Sequence, residues 1–216
     1  MTVLIFANGE LSSGEWIESY LNKATTVIAA DGGVDHLLAL ERLPDVVIGD
    51  LDSMAPEATA MLRRARVKML VHPEMKDESD LELALRYAVD RDDGEIIVLG
   101  ALGGRLDQLL ANVFLLTAPF LHGHAVRIVD AFQEAWVMGK GKGHVRGEIG
   151  DRISLLPLGG DVHVRRTEGL AWSLTDEPLV YGMSRGVSNR LAAQTATIEI
   201  MRGLLLCVHL AAAWQR

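Results

Sequence analysis

Three aspartates fall where the chain turns off a run rich in β-branched residues. Asp31 follows Val27-Ile28-Ala29-Ala30, and Asp50 and Asp52 follow Val46-Val47-Ile48-Gly49. All three therefore sit at the carboxyl ends of predicted strands, the edge of an open α/β sheet at which ligands bind. Two carboxylates one residue apart, as in Asp50-Leu51-Asp52, face the same side in extended geometry and bring oxygen ligands to one hard cation. Mg²⁺ commonly takes one or two such carboxylates and completes its octahedron with waters and substrate phosphates. Gly32-Gly33 and Gly49 leave room for close approach of a ligand to the backbone. A single aspartate in such a place is as readily a turn or helix cap. Three of them make capping the poorer account.

Two further segments carry groups suited to phosphate. In Lys76-Asp77-Glu78-Ser79-Asp80-Leu81-Glu82, Ser79 and Glu82 have the spacing of a capping box, and Asp77 and Asp80 flank the same predicted helix start. A helix start also favours anions through its free N–H groups and dipole, so structural and functional roles coexist there. The second segment, Gly100 to Gln108, joins Ile96-Ile97-Val98-Leu99 to a helix and contains Gly103, Gly104, Arg105 and Asp107. Glycines at such a turn expose backbone donors to a phosphate, and Arg105 adds a charge-assisted fork. A surface ion pair between Arg105 and Asp107 accounts for the charges but leaves the glycines unexplained. Gly139-Lys140-Gly141-Lys142-Gly143 matches neither phosphate-binding fingerprint and reads as a flexible turn between strands.

The elements that must position these groups follow from periodicity. Strands are predicted at Val3–Ala7, Thr26–Ala30, Asp45–Ile48, Val67–Val71, Glu95–Leu99 and Ala125–Val129. Helices fall between them, marked by Leu81, Leu85 and Ala88 and by Leu106, Leu109, Leu110 and Val113. This alternation predicts an α/β domain over residues 1–128, an open, mostly parallel sheet with flanking helices. Over residues 129–216 helical periodicity is lost, and short strands at Ala135–Met138, Ile153–Pro157, Val162–Arg165, Leu179–Tyr181, Thr195–Met201 and Leu204–Leu210 predict an antiparallel β-sandwich or barrel-like domain. In that half, Trp172 offers an aromatic face to a flat cationic ring and equally suits a core. Ser188-Asn189 reads as ligand contact or, more readily, as a turn.

Composition limits the partners. With 49% hydrophobic and 23% charged residues, a chain of 216 residues buries a sizeable core. Its 21 basic against 29 acidic residues, net −8, leave no general basic surface for nucleic acid. A phosphate-bearing ligand would have to arrive with its metal. Cys207 is the one cysteine, so no intrachain disulfide forms. Val3–Ala7 lacks the basic flank of a signal peptide, and the apolar run Gly203–Trp214 is short and contains His209, so no membrane association and a soluble, cytoplasmic protein are expected. The seven histidines show no zinc spacing, and no reactive-cysteine context suggests hydrolase chemistry.

Asp31-Gly32-Gly33, Gly49-Asp50-Leu51-Asp52-Ser53, Lys76-Asp77-Glu78-Ser79-Asp80 and Gly103-Gly104-Arg105-Leu106-Asp107-Gln108, in that order, resemble the thiamine pyrophosphokinase family. Gly169-Leu170-Ala171-Trp172-Ser173-Leu174 and Ser188-Asn189 look like its thiamine-side segments, so the resemblance covers nearly the whole chain. Ser79 stands where the family usually has Thr, and Gln108 where many bacterial members have His. The resemblance implies Mg²⁺-dependent transfer of the pyrophosphoryl group of ATP to the hydroxyl of thiamine, giving thiamine diphosphate and AMP. It also implies a homodimer with the active site near the subunit interface. By it, Asp50, Asp52 and Asp80 hold Mg²⁺ and the phosphates; with Asp107 they form the catalytic set, Asp80 and Asp107 both being candidates for the base. Asp31, Gly32, Lys76, Asp77, Gly104, Arg105 and Gln108 would line the nucleotide site, and Trp172, Ser188 and Asn189 the thiamine site. The chemistry agrees: attack at a β-phosphorus needs charge neutralisation and alignment more than covalent help.

Overall fold

The computed structural model describes residues 1–52, 54–91 and 94–212, which leaves Ser53 and Trp214 outside the described residues. The chain forms two compact units, Met1–Ala131 and Phe132–Arg216.

In the first unit, six strands alternate with five helices: β1 (Thr2–Phe6), α1 (Glu15–Leu21), β2 (Thr26–Ala30), α2 (Gly33–Ala39), β3 (Val46–Gly49), α3 (Pro56–Arg64), β4 (Lys68–Val71), α4 (Asp80–Val89), β5 (Glu95–Leu99), α5 (Leu106–Leu115) and β6 (Val126–Val129). All six strands pair in parallel, in the order β6-β5-β1-β2-β3-β4. The chain runs outward from β1 to β4, then returns to the other side of β1 for β5. The order therefore reverses between β1 and β5, which opens a crevice at their carboxyl ends. Strand residues are buried at consecutive positions, as expected of a sheet covered on both faces. Leu4 and Phe6 of β1 pack with Ile17, Val34, Leu37 and Leu62 from α1, α2 and α3. Val3 and Ile5 occupy the alternate face. Helix α4 packs on β1, β2 and β3 through the buried Leu81, Ala84, Leu85 and Ala88.

The second unit is antiparallel: β7 (Gln133–Met138), β8 (Gly141–Arg146), β9 (Arg152–Glu168), β10 (Thr175–Leu179), β11 (Asn189–Arg190) and β12 (Thr195–Leu210). Four predicted short strands are in fact two long ones. Gly159-Gly160 and Gly203 read as breaks in the sequence, yet Gly159 (φ +71°) and Gly203 (φ +92°) keep the pairing going through a bend. Register shifts between Glu199 and Leu204 mark that bend in β12. β12 pairs along one edge with β8 and then β7, and along the other with β9. Long strands that bend and change partner close a sandwich over a core that includes Val145, Leu155, Val164, Ile198 and Leu205.

The lysine-glycine segment is corrected by the structure. Gly141, Lys142 and Gly143 are not a flexible turn but the start of β8, paired with Ile200, Glu199 and Ile198. A Cβ at Gly143 would overlap the Met138 sulfur, so the glycine is there for close packing. Near the end of β12, His209 lies between two carboxylates, its Nδ1 3.2 Å from Glu134 Oε1 and its Nε2 2.8 Å from Asp151 Oδ2. Asp151 also accepts from the backbone N–H of Glu148 at 2.8 Å and of Ala212 at 2.6 Å. Among the described residues, no helix is long and apolar enough to cross a membrane.

Candidate active site

A cleft of about 640 Å³ lies at the strand-order reversal of the first unit. Its walls are Asn8, Gly9 and Glu10 after β1, Asp31 after β2, Ser79 and Asp80 at the start of α4, and Gly103, Gly104, Arg105, Gln108 and Asn112 around the start of α5. The size suits a small-molecule ligand. Close backbone approach builds the floor: Gly9 N–H donates to Gly100 O at 2.6 Å, and a Cβ on Gly33 would overlap the Phe6 carbonyl. The Gly-rich turn adopts φ of +67° at Gly100, +80° at Gly103 and +66° at Gly104, and nothing stands within 4 Å of a Cβ built on Gly104. Asn112 Nδ2 donates to Ala101 O at 2.9 Å and so ties α5 to this turn.

Beside the cleft, single carboxylate oxygens of Asp31, Asp50 and Asp52 lie within 4.8 Å of one another. The expected geometry is revised here. Asp50 and Asp52 do not share a face by extended alternation, because Leu51 between them takes φ +63°. They meet through a tight turn in which Asp52 N–H donates to Asp50 Oδ1 at 3.2 Å. That N–H, with Asp52 and Lys76, holds Asp50 below the usual carboxylate range. Its hydrogen bond and negative charge push Asp52 the other way, helped by Glu74 and Asp31. Crowded like charges of this kind are relieved by a cation.

Asp80 joins the group through Lys76. The lysine Nζ lies 3.0 Å from Asp80 Oδ1 and 3.6 Å from Asp50 Oδ2. Burial opposes its charge, but Asp80 and Asp50 outweigh that and keep the ammonium protonated above its ordinary value. Asp80 Oδ1 is closed off from solvent and meets the Lys76 ammonium. Ser79 caps α4, its Oγ accepting from Glu82 N–H at 3.2 Å, which presents Asp80 as the first residue of the helix.

Other expected residues behave differently. Arg105 forks Asp107 at 3.1 and 2.6 Å, and both side chains are well exposed. Asp107 is thereby held below the usual carboxylate range, first by Arg105 and then by the Gln108 N–H. Asp77 is exposed and Gly32 is the N-cap of α2; neither lines the cleft. Asn8, Glu10 and Asn112 escaped the sequence reading, although Asn8 to Glu10 follow a predicted strand just as Asp31 does. In the second unit, Trp172 is 54% exposed and therefore not a core residue, whereas Asn189 is 6% exposed. Ser188 takes φ +60°, its N–H donating to Ser154 Oγ at 3.0 Å.

Known proteins share this fold over nearly the whole length of the chain. Residues 17–129 match the family described as Thiamin pyrophosphokinase, catalytic domain, and residues 144–205 match Thiamin pyrophosphokinase, vitamin B1 binding domain. The thiamine pyrophosphokinase of Bacillus subtilis (strain 168) is 26% identical over 209 residues, covering 96% of this chain and 98% of its own. A crystal structure of the Bacillus subtilis enzyme superposes with a TM-score of 0.88 at 25% identity, over 98% of this chain and 99% of that one. That of the thiamin pyrophosphokinase from Geobacillus thermodenitrificans gives 0.82 at 26% identity, over 99% of both chains. With both domain families matched in order along one chain, this protein belongs to the thiamine pyrophosphokinase family.

Proposed function

We propose that this chain is a thiamine pyrophosphokinase that uses ATP and Mg²⁺, with the nucleotide held by residues 1–128 and thiamine by residues 129–216. The observation that carries the reading is the meeting of the Asp31, Asp50 and Asp52 carboxylates beside a glycine-walled cleft at the sheet's carboxyl edge. The donor set fits Mg²⁺: every candidate ligand is a hard carboxylate oxygen, and those of Asp31, Asp50 and Asp52 lie within 4.8 Å of one another. Asp50, Asp52 and Asp80 would hold the ion, with Asp31 beside them. When bound, Mg²⁺ would supply positive charge to the phosphate oxygens of ATP and to the departing AMP.

The chain's own groups supply the rest. Gly104, with no side chain and open space around it, exposes backbone to the phosphates, while Arg105, Gln108 and Asp31 surround the nucleotide; Gly32 and Asp77 stand outside the cleft wall. Lys76 offsets the acid cluster, its Nζ 3.0 Å from Asp80 and 3.6 Å from Asp50. Thiamine's hydroxyl oxygen forms a bond to the β-phosphorus as the bond from that phosphorus to the α,β-bridging oxygen breaks; AMP leaves and the hydroxyl proton passes to a carboxylate. Asp80 is the better acceptor of the two candidates, because Lys76 engages one of its oxygens whereas Arg105 engages both of Asp107. Trp172, flanked by Ser188 and Asn189, receives the flat rings of thiamine, one of them cationic. The enzyme acts as a cytoplasmic homodimer with the active site near the subunit interface.

The test mixes protein, thiamine, ATP and Mg²⁺ and follows thiamine diphosphate, AMP and ADP by chromatography. AMP and thiamine diphosphate forming one for one is the expected result. ADP with thiamine monophosphate, or no turnover, overturns the reading. Sedimentation of the same sample tests the dimer.

A further inference from the structure

We infer that Asn189 is a positioning residue for thiamine, which acts by clamping the backbone of Trp172 at both its N–H and its carbonyl. The inference rests on the assignment of Trp172 to the thiamine site. Trp172 sits on a short segment between β9 and β10. At its base, Thr167 and Leu174 exchange two bonds, Leu174 N–H to Thr167 Oγ1 and Thr167 N–H to Leu174 O, each 2.9 Å. Along its length the segment pairs with the strand that follows Asn189: Leu170 bridges to Leu191, and Ala171 N–H donates to Arg190 O at 2.9 Å.

One residue further the backbone ladder has no partner to offer, because Ser188, at φ +60°, turns the chain away. The Asn189 side chain continues it. Its Oδ1 accepts from Trp172 N–H at 3.0 Å and from Arg190 N–H at 2.8 Å, and its Nδ2 donates to Trp172 O at 2.6 Å. Two N–H donors on one atom and a carbonyl on the other fix the orientation of the amide without ambiguity. With Asn189 buried and these bonds made, the amide's contact is with protein, and what it sets is the place of an indole that is itself more than half exposed. An exposed aromatic held by its backbone in this way meets a ring without first paying the entropy of ordering its loop.

The experiment is a double-mutant cycle on thiamine KM with N189D, W172A and the double variant. N189D keeps an acceptor for Trp172 N–H but replaces the donor to Trp172 O with a second acceptor. The expected result is a rise in thiamine KM on the order of tenfold for N189D, with kcat and the ATP KM within about twofold of the parent. In the W172A background N189D should add less than about twofold, because Asn189 acts through Trp172. Iodide quenching of the fluorescence lost in W172A should increase in N189D. An equal rise in KM with and without Trp172 means that Asn189 touches thiamine itself, and overturns the inference alone. A W172A enzyme with unchanged thiamine KM overturns the assignment of Trp172 and the inference with it. If N189D does not fold, N189S is read by the same cycle.

Discussion

Asp151→Asn should loosen the β unit by about 3–5 kcal/mol, the range for removing one partner of a buried charged pair. Three donors converge on the two carboxylate oxygens, from Glu148, Ala212 and His209, and the carboxylate is only 6% exposed. An amide can present a single oxygen, so whichever way it turns, at least one N–H faces another donor. That orphan costs about 1–3 kcal/mol, and the charge-assisted bond to His209 contributes about as much again. For a chain of this size the expected fall in Tm is on the order of 10 °C, read by circular dichroism. The pH dependence carries the sharper test. Glu134, then Asp151, hydrogen-bond the His209 imidazole and outweigh its desolvation, so its folded pKa stands above the ordinary 6.5. A raised pKa gives stability that is whole below the unfolded value and lost as pH rises through the folded one. Asp151 is shifted the other way: burial opposes, but His209 and the two N–H groups hold it below 3.8, so its share is lost only in acid. The gap between parent and variant should therefore be widest from about pH 4 to 6.5 and narrow toward pH 9. A gap that stays constant from pH 6 to 9, or a Tm within 2 °C of the parent throughout, would refute the reasoning.

Asp50→Asn and Asp52→Asn should each lower turnover by about 10³-fold or more while leaving the thermal transition in place, and should weaken Mn²⁺ binding measured by electron paramagnetic resonance. Near-normal turnover in either would show that the acids are not the cation's ligands. Ser79→Ala removes the cap of α4 and should cost about 1 kcal/mol in urea unfolding, with a larger rise in ATP KM than Ser79→Thr. Gly33→Ala should cost about 1–3 kcal/mol, since its Cβ overlaps a backbone carbonyl that cannot move without disturbing β1. Gly104→Ala, in open space, should cost no more than about 1–2 kcal/mol for its left-handed conformation.

The parallel half was legible because each of its strands is a short local run whose length and burial the residues themselves declare. Thr26–Ala30 and Glu95–Leu99 appear with the predicted bounds. The sandwich was harder, because a bend in a long strand and a turn between two short ones use the same residue, glycine, and differ only in whether the far side finds a partner. β8 was misread for the same reason: Gly141-Lys142-Gly143 has no hydrophobic alternation, and its pairing is supplied by β12 from far along the chain. At the site, the strand-end rule found Asp31, Asp50 and Asp52, but it gave the wrong reason for the nearness of the last two. Leucine at position 51 carries no sign of a left-handed backbone, since the conformation is imposed by the turn and not by the residue. Asn189, too, shows the sequence only a polar side chain, not where its two amide atoms go.

The pairing of β12 sets an order of assembly. It is made after β7, β8 and β9, and all three pair with it. Until β12 emerges, each of those strands presents an unsatisfied edge toward the place it will occupy, and open edges of this kind are templates for pairing between chains. The nascent β unit is thus most exposed to aggregation late in synthesis, and the contacts that end the exposure join residues distant in sequence, which close slowly. A nascent chain stalled before Thr195 should accordingly hold the β unit open and recruit chaperones, while the parallel sheet, whose strands are all complete by Val129, has no need to wait.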